Sequence, residues 1–116
     1  MTKYKKGTVV LALFPKSDLV TAKRRPALVV QADTPNTGLD QVIIAMITSN
    51  LAREGHPSRV RINKDSDSGK QAGLLTDSVI MTDNVATVRL VEIDKALGAL
   101  PDTSSVDKAL KITFGL

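Results

Sequence analysis

A mainly β fold, in the form of a small twisted antiparallel barrel with a C-terminal helix, is predicted by two features of this sequence. Short apolar, β-branched runs alternate with polar loops that contain glycine and proline along most of the 116 residues, and this spacing is typical of small barrels. No crossover helix separates consecutive runs, as a parallel α/β fold would require. A chain of this length buries roughly two-thirds of its unfolded surface, so we expect one domain over residues 1–116.

Each predicted strand is an apolar or alternating run that ends at turn residues. Pro15 ends the first strand, and Asp33–Gly38 follows the second with a strong turn signal. Asp83 and Asn84 mark a bend or bulge between the last two. The predicted strands are Gly7–Phe14, Pro26–Ala32, Gln41–Ser49, Arg59–Ile62, Ser78–Thr82 and Val85–Leu90.

The remaining segments are predicted as loops and helix. Asn63–Gly73 is expected to be a flexible polar loop, and Ile93–Leu97 a single helical turn. A helix is predicted over about Thr103–Phe114, with Ser104 or Ser105 as its N-cap. The apolar stripe of this helix would consist of Val106, Ala109, Leu110 and Thr113.

The composition excludes several kinds of chemistry. The chain has no cysteine and one histidine, His56, which excludes disulfides, thiolate zinc sites, cysteine nucleophiles and two-histidine metal sites. Gly69-Lys70 is followed by Gln71 instead of Ser or Thr, so the phosphate-binding loop of NTPases is absent too. Aromatic residues make up 3% of the chain, which leaves few platforms for stacked bases. We therefore expect no metal and no cofactor.

Positive charge is concentrated in the N-terminal part of the chain. Residues 1–70 contain 12 Lys/Arg and 6 Asp/Glu, whereas residues 71–116 contain 4 and 6. Such asymmetry indicates a polyanionic ligand or an acidic protein partner, although a modest net charge also favours solubility. The Val9–Phe14 run is too short for a signal-peptide core, and no apolar run approaches ~20 residues. The sequence therefore predicts a soluble, cytoplasmic protein with no membrane partner.

The segment Lys23–Val30, Lys-Arg-Arg-Pro-Ala-Leu-Val-Val, places cations directly before an apolar strand. We expect Pro26 at the first strand position, where its missing N–H is not needed, and Arg25 held outward on that rigid element. An arginine in such a place suits an oxyanion such as phosphate. On this octapeptide alone, a solvated charge cluster that guards a strand edge is the favoured interpretation.

Two hydroxyls, those of Thr48 and Ser49, end the third predicted strand. Their simplest role is to satisfy local backbone groups. Together with Arg25 they also suit phosphoryl chemistry on a substrate that brings its own nucleophile, as RNA does with its 2′-hydroxyl. The protein would then need only to position the RNA and to stabilise charge.

Several short segments, none specific by itself, occur together along nearly the whole chain. They are Gly7-x-Val9-Val10, Phe14-Pro15, Arg24–Val30, Ile47–Ser49, Gly73-Leu74, Asp77–Val79, Thr87-Val88, Leu97–Pro101 and Val106–Leu116. In this order and spacing the sequence resembles the MazF/PemK toxins of type II toxin–antitoxin systems. The resemblance implies an SH3-like barrel with short helices, a homodimer, and a metal-independent endoribonuclease that cuts single-stranded RNA at short sequence motifs.

The resemblance also implies a mechanism. In that family the 2′-hydroxyl attacks the adjacent phosphate and leaves a 2′,3′-cyclic phosphate and a 5′-hydroxyl, and an acidic antitoxin tail blocks the site. Arg25 and Thr48 would be the catalytic residues, which stabilise the pentavalent phosphate and bind one of its oxygens. Asp83 corresponds to an accessory carboxylate base of some members. RNA-binding residues are expected at Lys16, Ser17, Lys23, Arg24, Ser49, Asn50, Arg53, Arg59, Arg61 and Asn84.

Departures from the family pattern keep two alternatives open. Met81 and Ala86 stand where relatives carry arginines, which argues against the carboxylate-base variant and keeps open a relative that binds nucleic acid without cutting it. A CcdB-like gyrase poison on the same fold is the other alternative, because Phe114–Leu116 faintly resembles the C-terminal aromatic-Gly-aliphatic segment of those proteins. The Arg25-Pro26 pair and Ile47–Ser49 favour the ribonuclease.

Overall fold

The computed structural model describes residues 4–15, 22–33 and 38–116. Within these residues six strands form one antiparallel sheet in the order β4-β5-β3-β2-β1-β6. The strands are β1 Thr8–Pro15, β2 Ala22–Val29, β3 Gln41–Thr48, β4 Arg59–Ile62, β5 Ser78–Arg89 and β6 Ile93–Ala99. The helices are α1 Asp67–Gln71 and α2 Ser104–Phe114, and two 3₁₀ turns span Leu51–Arg53 and Leu90–Glu92. The predicted mainly β antiparallel fold with a C-terminal helix is confirmed.

Successive side chains of a strand point to opposite sides of the sheet. Both faces of the central strands are buried, and each face has its own aliphatic cluster. One core cluster contains Val9, Leu28 and Ile80, together with Val106 of α2. The cluster on the other face contains the neighbouring strand positions, such as Val10 and the residues on either side of Leu28. These aliphatic clusters fix the strand register, and the register in turn decides which polar residues meet at the strand ends.

Strand β2 begins earlier than predicted. Pro26 does not open the strand but lies inside it, paired with Leu11 of β1. On the opposite side, the ladder to β3 covers only Ala27–Val29. A proline is tolerated inside this strand because the β3 side of Pro26 has no ladder to which an N–H could donate. The strand also ends at Val29 instead of Ala32.

The two strands predicted between Ser78 and Leu90 form a single long strand, β5. Its ladder to β3 passes from Ala45 opposite Val85 to Met46 opposite Met81. The residues between Met81 and Val85, which include Asp83, are therefore accommodated as a bulge. The predicted bulge is confirmed, and the division into two strands is wrong because the chain stays extended on both sides of it.

Two other segments were expected to have a different local structure. The predicted loop 63–73 contains helix α1, in which the Ser66 Oγ accepts the Gly69 N–H at 3.0 Å and caps the first turn. The predicted helical turn 93–97 is part of strand β6, which pairs with β1. Strand β6 is defined by its pairing with distant β1, whereas α1 begins at a local cap that the sequence prediction overlooked.

The C-terminal helix α2 occurs where it was predicted, with a different cap. Thr103 is the N-cap residue instead of Ser104 or Ser105, and its side chain makes no capping hydrogen bond. The Asp102 carboxylate accepts the Ser104 N–H at 2.9 Å, and this bond lowers the pKa of Asp102 below its usual value. The predicted stripe is confirmed, since Val106 and Ala109 are buried. No helix in the described ranges is long and apolar enough to cross a membrane.

Candidate active site

A cavity of about 190 Å³ opens where β2 and β3 separate. The β2–β3 ladder stops at Ala27 and Met46, so the strand continues through Pro26 and Arg25 without a partner on that side. The end of β3 and the start of β5 form the other walls. The described residues that line this cavity are Arg25, Pro26, Ile47, Thr48, Ser49, Thr76 and Ser78. The structure thus brings the two predicted catalytic residues into one site.

Arg25 is held by the β1–β2 ladder, in which it lies opposite Ala12. Its side chain is partly buried, and within residues 4–15, 22–33 and 38–116 no carboxylate forms an ion pair with it. The guanidinium group therefore keeps its donors available for an anionic ligand, which it can bind through two parallel hydrogen bonds. The prediction that Arg25 faces outward on a rigid strand is consistent with this geometry.

Thr48 is the last residue of β3 and is 7% exposed. Its Oγ1 accepts the Asn50 N–H at 3.1 Å, which is the local backbone role that a strand-end hydroxyl commonly has. A hydroxyl can also donate one hydrogen bond. Thr48 can therefore keep its backbone contact and donate to an oxygen atom bound beside Arg25.

Thr76 and Ser78 are site residues that sequence reasoning missed. Ser78 is 3% exposed, and its Oγ donates to the Thr76 carbonyl at 2.8 Å. The Asp77–Val79 segment is part of the family resemblance, but no local pattern connects it with Arg25. The connection is the β3–β5 register, which places Val79 opposite Thr48.

Asp83 does not line this cavity. It lies four residues after Val79, the ladder partner of Thr48, a separation of roughly 13 Å along an extended strand. Its carboxylate instead pairs with Arg59, at 3.0 Å from Nη2 and 3.4 Å from Nε. The neighbouring Asn84 donates to the Met46 sulfur at 3.2 Å. Both residues therefore belong to the β5 bulge and not to the Arg25 cavity.

The arginines of β4 are already engaged in ion pairs. Arg59 holds Asp83, and it also donates to the Arg53 carbonyl at 2.8 Å. Arg61 pairs with Glu54 at 2.8 Å and with Asp77 at 3.5 Å. The hydrogen bond and charge of Glu54 raise the pKa of Arg61 above its usual value.

Together with Lys108, Arg59 and Arg61 line a separate groove of about 480 Å³ between β4 and α2. The groove also contains apolar residues, among them Val60 and Ile112. The β4 arginines are therefore on a different surface feature from Arg25.

Of the other predicted RNA-binding residues, the described part of the chain places only Ser49 in the lining of the cavity. The Asn50 side chain accepts the Ala52 N–H at 3.1 Å and caps a 3₁₀ turn. Arg24 is exposed and neighbours Arg25 on β2, so it points to the opposite face. Lys23 lies opposite Phe14 in the β1–β2 ladder. Lys16 and Ser17 lie outside the described residues.

No group of three or more His, Cys, Asp or Glu side chains in the described ranges could hold a metal ion. The side chains of the Arg25 cavity supply a guanidinium and hydroxyls. Such a donor set is suited to binding the oxygens of a phosphodiester.

Residues 5–114 match the family model for the PemK-like, MazF-like toxin of type II toxin-antitoxin system. The chain belongs to this family. The match includes the strands that carry Arg25 and Thr48 as well as helix α2, and it confirms the relationship that the sequence motifs predicted.

Solved structures of MazF-like toxins have the same fold. An endoribonuclease from a mycobacterial species is 24% identical with a TM-score of 0.73, over 100% of this chain and 95% of that chain. An endoribonuclease in complex with its cognate antitoxin, also mycobacterial, is 23% identical with a TM-score of 0.72, over 97% and 96%. A MazE–MazF structure from Deinococcus radiodurans is 19% identical with a TM-score of 0.71, over 100% and 99%. At these identities the likeness concerns the fold.

Proposed function

We propose that this protein is an endoribonuclease that cleaves single-stranded RNA at short sequence motifs without a metal ion. The observation that carries the proposal is the Arg25 cavity. Arg25, which forms no ion pair with any described residue, lines this cavity together with Thr48 and Ser49. Family membership and the names of the structural neighbours support the same assignment.

In the proposed reaction, the RNA 2′-oxygen attacks the adjacent phosphorus and loses its proton, while the bond from phosphorus to the 5′-oxygen breaks. The leaving oxygen takes up a proton, so the products are a 2′,3′-cyclic phosphate and a 5′-hydroxyl. Arg25 stabilises the additional negative charge that develops on the phosphate oxygens. An arginine keeps its positive charge in proteins, so the role of Arg25 is charge stabilisation and not proton transfer. Thr48 donates to one of the phosphate oxygens and fixes the phosphate against Arg25.

The proposal includes the partners that go with this activity. The toxin would act in the cytoplasm as a homodimer and a single domain over residues 1–116, and an acidic antitoxin would inhibit it. Exposed apolar residues at the end of α2, Ile112, Phe114 and Leu116, provide a surface for association. The name of one structural neighbour describes an endoribonuclease bound to its cognate antitoxin, which supports this arrangement.

Cleavage of a long, weakly structured RNA in excess EDTA tests the proposal. The wild-type protein is expected to make discrete cuts, with cyclic-phosphate ends identified by mass spectrometry. Arg25→Ala is expected to lower the cleavage rate by about 10²–10³-fold, as loss of a charge-stabilising donor does. Because Arg25 is only partly buried and forms no ion pair among the described residues, its replacement should change Tm by less than about 4 °C.

Arg89→Ala is the matched control for this experiment. Arg89 lies at the far end of β5 in an exposed ion pair with Glu92, and such pairs contribute little to stability. Full activity of Arg89→Ala is expected. Cleavage that persists at the wild-type rate in folded Arg25→Ala would contradict the assignment of the site.

A gyrase poison is the second candidate, because Phe114 and Leu116 are 56% and 90% exposed at the end of α2. A C-terminal surface of this kind could contact a protein target. If the wild-type protein leaves RNA intact and inhibits DNA supercoiling by purified gyrase, this second function replaces the first. Intact RNA and unaffected gyrase would instead favour a relative that only binds nucleic acid.

A further inference from the structure

The wall of the Arg25 cavity opposite β2 is formed by Thr76 and Ser78, and it is fixed on both of its sides. On the cavity side, the Ser78 hydroxyl donates to the Thr76 carbonyl at 2.8 Å. Ser78 is almost fully buried, so this bond is shielded from competing water. The short turn between the two residues is thereby held in one conformation.

Asp77 holds the same turn from the outer side. Its Oδ1 accepts the Lys64 N–H at 2.9 Å, and its Oδ2 lies 3.5 Å from Arg61 Nη2. Ser78 is further fixed by the β4–β5 ladder, in which it lies opposite Ile62. The turn that carries Thr76 is therefore held by strand β4 and by Lys64, which follows it, in the protein without RNA.

Hydrogen-bond donors lie on the Thr76 wall of the cavity as well as beside Arg25. Arg25, Thr48 and Ser49 offer hydrogen-bond donors, and Thr76 adds a further hydroxyl on an exposed residue. The phosphate and ribose of one nucleotide present both acceptors and a 2′-hydroxyl. A hydroxyl on a turn that is already held in one conformation can donate to a phosphate oxygen of that nucleotide at little entropic cost, whether or not the 2′-hydroxyl is present.

We propose that Thr76 is a further RNA-binding residue, which contacts the sugar–phosphate unit bound beside Arg25, and that Ser78 is the residue that positions it. This inference rests on the proposed ribonuclease activity. It assigns a role to the start of β5 that neither residue type nor local sequence pattern predicts. Because Thr76 contacts the RNA before and during the reaction, its loss is expected to weaken binding more than it slows the chemical step.

The test uses the full-length protein and an oligoribonucleotide that contains a cut site mapped with the long RNA. Thr76→Val, which keeps the shape of the side chain, is expected to raise KM about 5–10-fold while kcat changes less than about 3-fold. The same variant should bind an uncleavable oligonucleotide, with a 2′-deoxy sugar at the cut, about 5–10-fold more weakly. Thr87→Val is the matched control, since Thr87 is exposed on the distant part of β5 opposite Ile43.

Ser78→Ala is expected to raise KM in the same direction, because it releases the Thr76 carbonyl. If Ser78 acts through Thr76, the double variant should be no worse than the more affected single variant. A purely structural role of Ser78 would lower Tm and leave KM unchanged, and this result would overturn the positioning role. Wild-type KM in Thr76→Val, or effects that multiply in the double variant, would also overturn the proposal. Failure of the wild-type protein to cut or bind RNA would instead contradict the proposed function itself.

Discussion

Arg25, Arg59 and Arg61 have the same guanidinium group but different surroundings. Arg59 and Arg61 each face a carboxylate within hydrogen-bond distance, whereas Arg25 has no ion-pair partner among the described residues. A carboxylate next to an arginine competes with a phosphate for the same donors and cancels its charge locally. Of these three arginines, Arg25 is therefore the one whose donors are available to a phosphate.

The hydroxyl of Thr48 is expected to contribute to RNA cleavage. Thr48→Ser keeps the hydroxyl and is expected to cleave RNA within about 3-fold of the wild-type rate. Thr48→Val removes it, and since a hydrogen bond to a charged group is worth about 1.5–3 kcal/mol, kcat should fall about 10–100-fold. Single-turnover cleavage of the mapped oligonucleotide measures both variants.

Stability measurements separate the two functions of this hydroxyl. Thr48→Val also loses the bond to the Asn50 N–H, which should lower Tm by a few degrees, as loss of about 1 kcal/mol does in a domain of this size. If Thr48→Val has a reduced Tm and normal kcat, Thr48 has only the backbone role.

At the scale of elements, the Arg25 cavity exists because two strands separate. The sequence predicted that Arg25 precedes a strand and that Thr48 ends one, since proline, β-branched runs and terminal hydroxyls are local signals. It did not predict the separation of β2 from β3, which follows from a ladder that ends at Ala27 and Met46. The places of Thr76 and Ser78 in the cavity lining depend on the same kind of long-range register, and for that reason local patterns missed them.

The elements that were predicted correctly are those with strong local signals, such as β3 and α2. Helix α1 was missed although Ser66 provides a local N-cap, and strand β6 was predicted wrongly because its neighbour specifies it. Alternation in β6 is obscured by exposed Asp94, Lys95 and Ala96, and the strand is defined by its pairing with β1. Such pairing between distant segments has no counterpart in a short sequence window.

Helix α1 and strand β6 are in close backbone contact at Gly98. A Cβ atom at Gly98 would overlap the Gln71 carbonyl and the Ala72 backbone at the end of α1. Because these are backbone atoms, the helix would have to shift, and Gly98→Ala should lower the free energy of unfolding by about 1–3 kcal/mol. Urea unfolding followed by circular dichroism measures this change.

Gly115→Ala is the control for the same chemical substitution. Gly115 ends α2 at φ +69°, and the position that a Cβ atom would take there has no neighbour within 4 Å. Only the left-handed backbone conformation therefore opposes alanine, at a cost of about 1 kcal/mol. A larger loss in Gly115→Ala than in Gly98→Ala would contradict the packing account.

At the scale of the whole molecule, the positive charge of residues 1–70 is only partly available to RNA. Lys6 pairs with Asp107 at 2.7 Å, and the β4 arginines pair with Asp83, Glu54 and Asp77. These ion pairs connect different segments of the chain to one another, so their cations are already neutralised within the fold and are less available to a ligand. The formal net charge therefore overstates the number of cations that can replace counterions on an RNA backbone.

The salt dependence of RNA binding tests this distinction. For single strands, each phosphate contact contributes about 0.7 to the slope of log K against log salt concentration. Arg24 is exposed and has no ion-pair partner among the described residues, so Arg24→Ala should reduce the slope by about this amount. Arg61→Ala should change it by less than half as much, because Arg61 is held by Glu54 and Asp77. Affinities of the uncleavable oligonucleotide at several salt concentrations give the slopes. Equal changes in the two variants would mean that RNA displaces the carboxylates of Arg61, and the pairs seen in the free protein would then be part of the binding equilibrium.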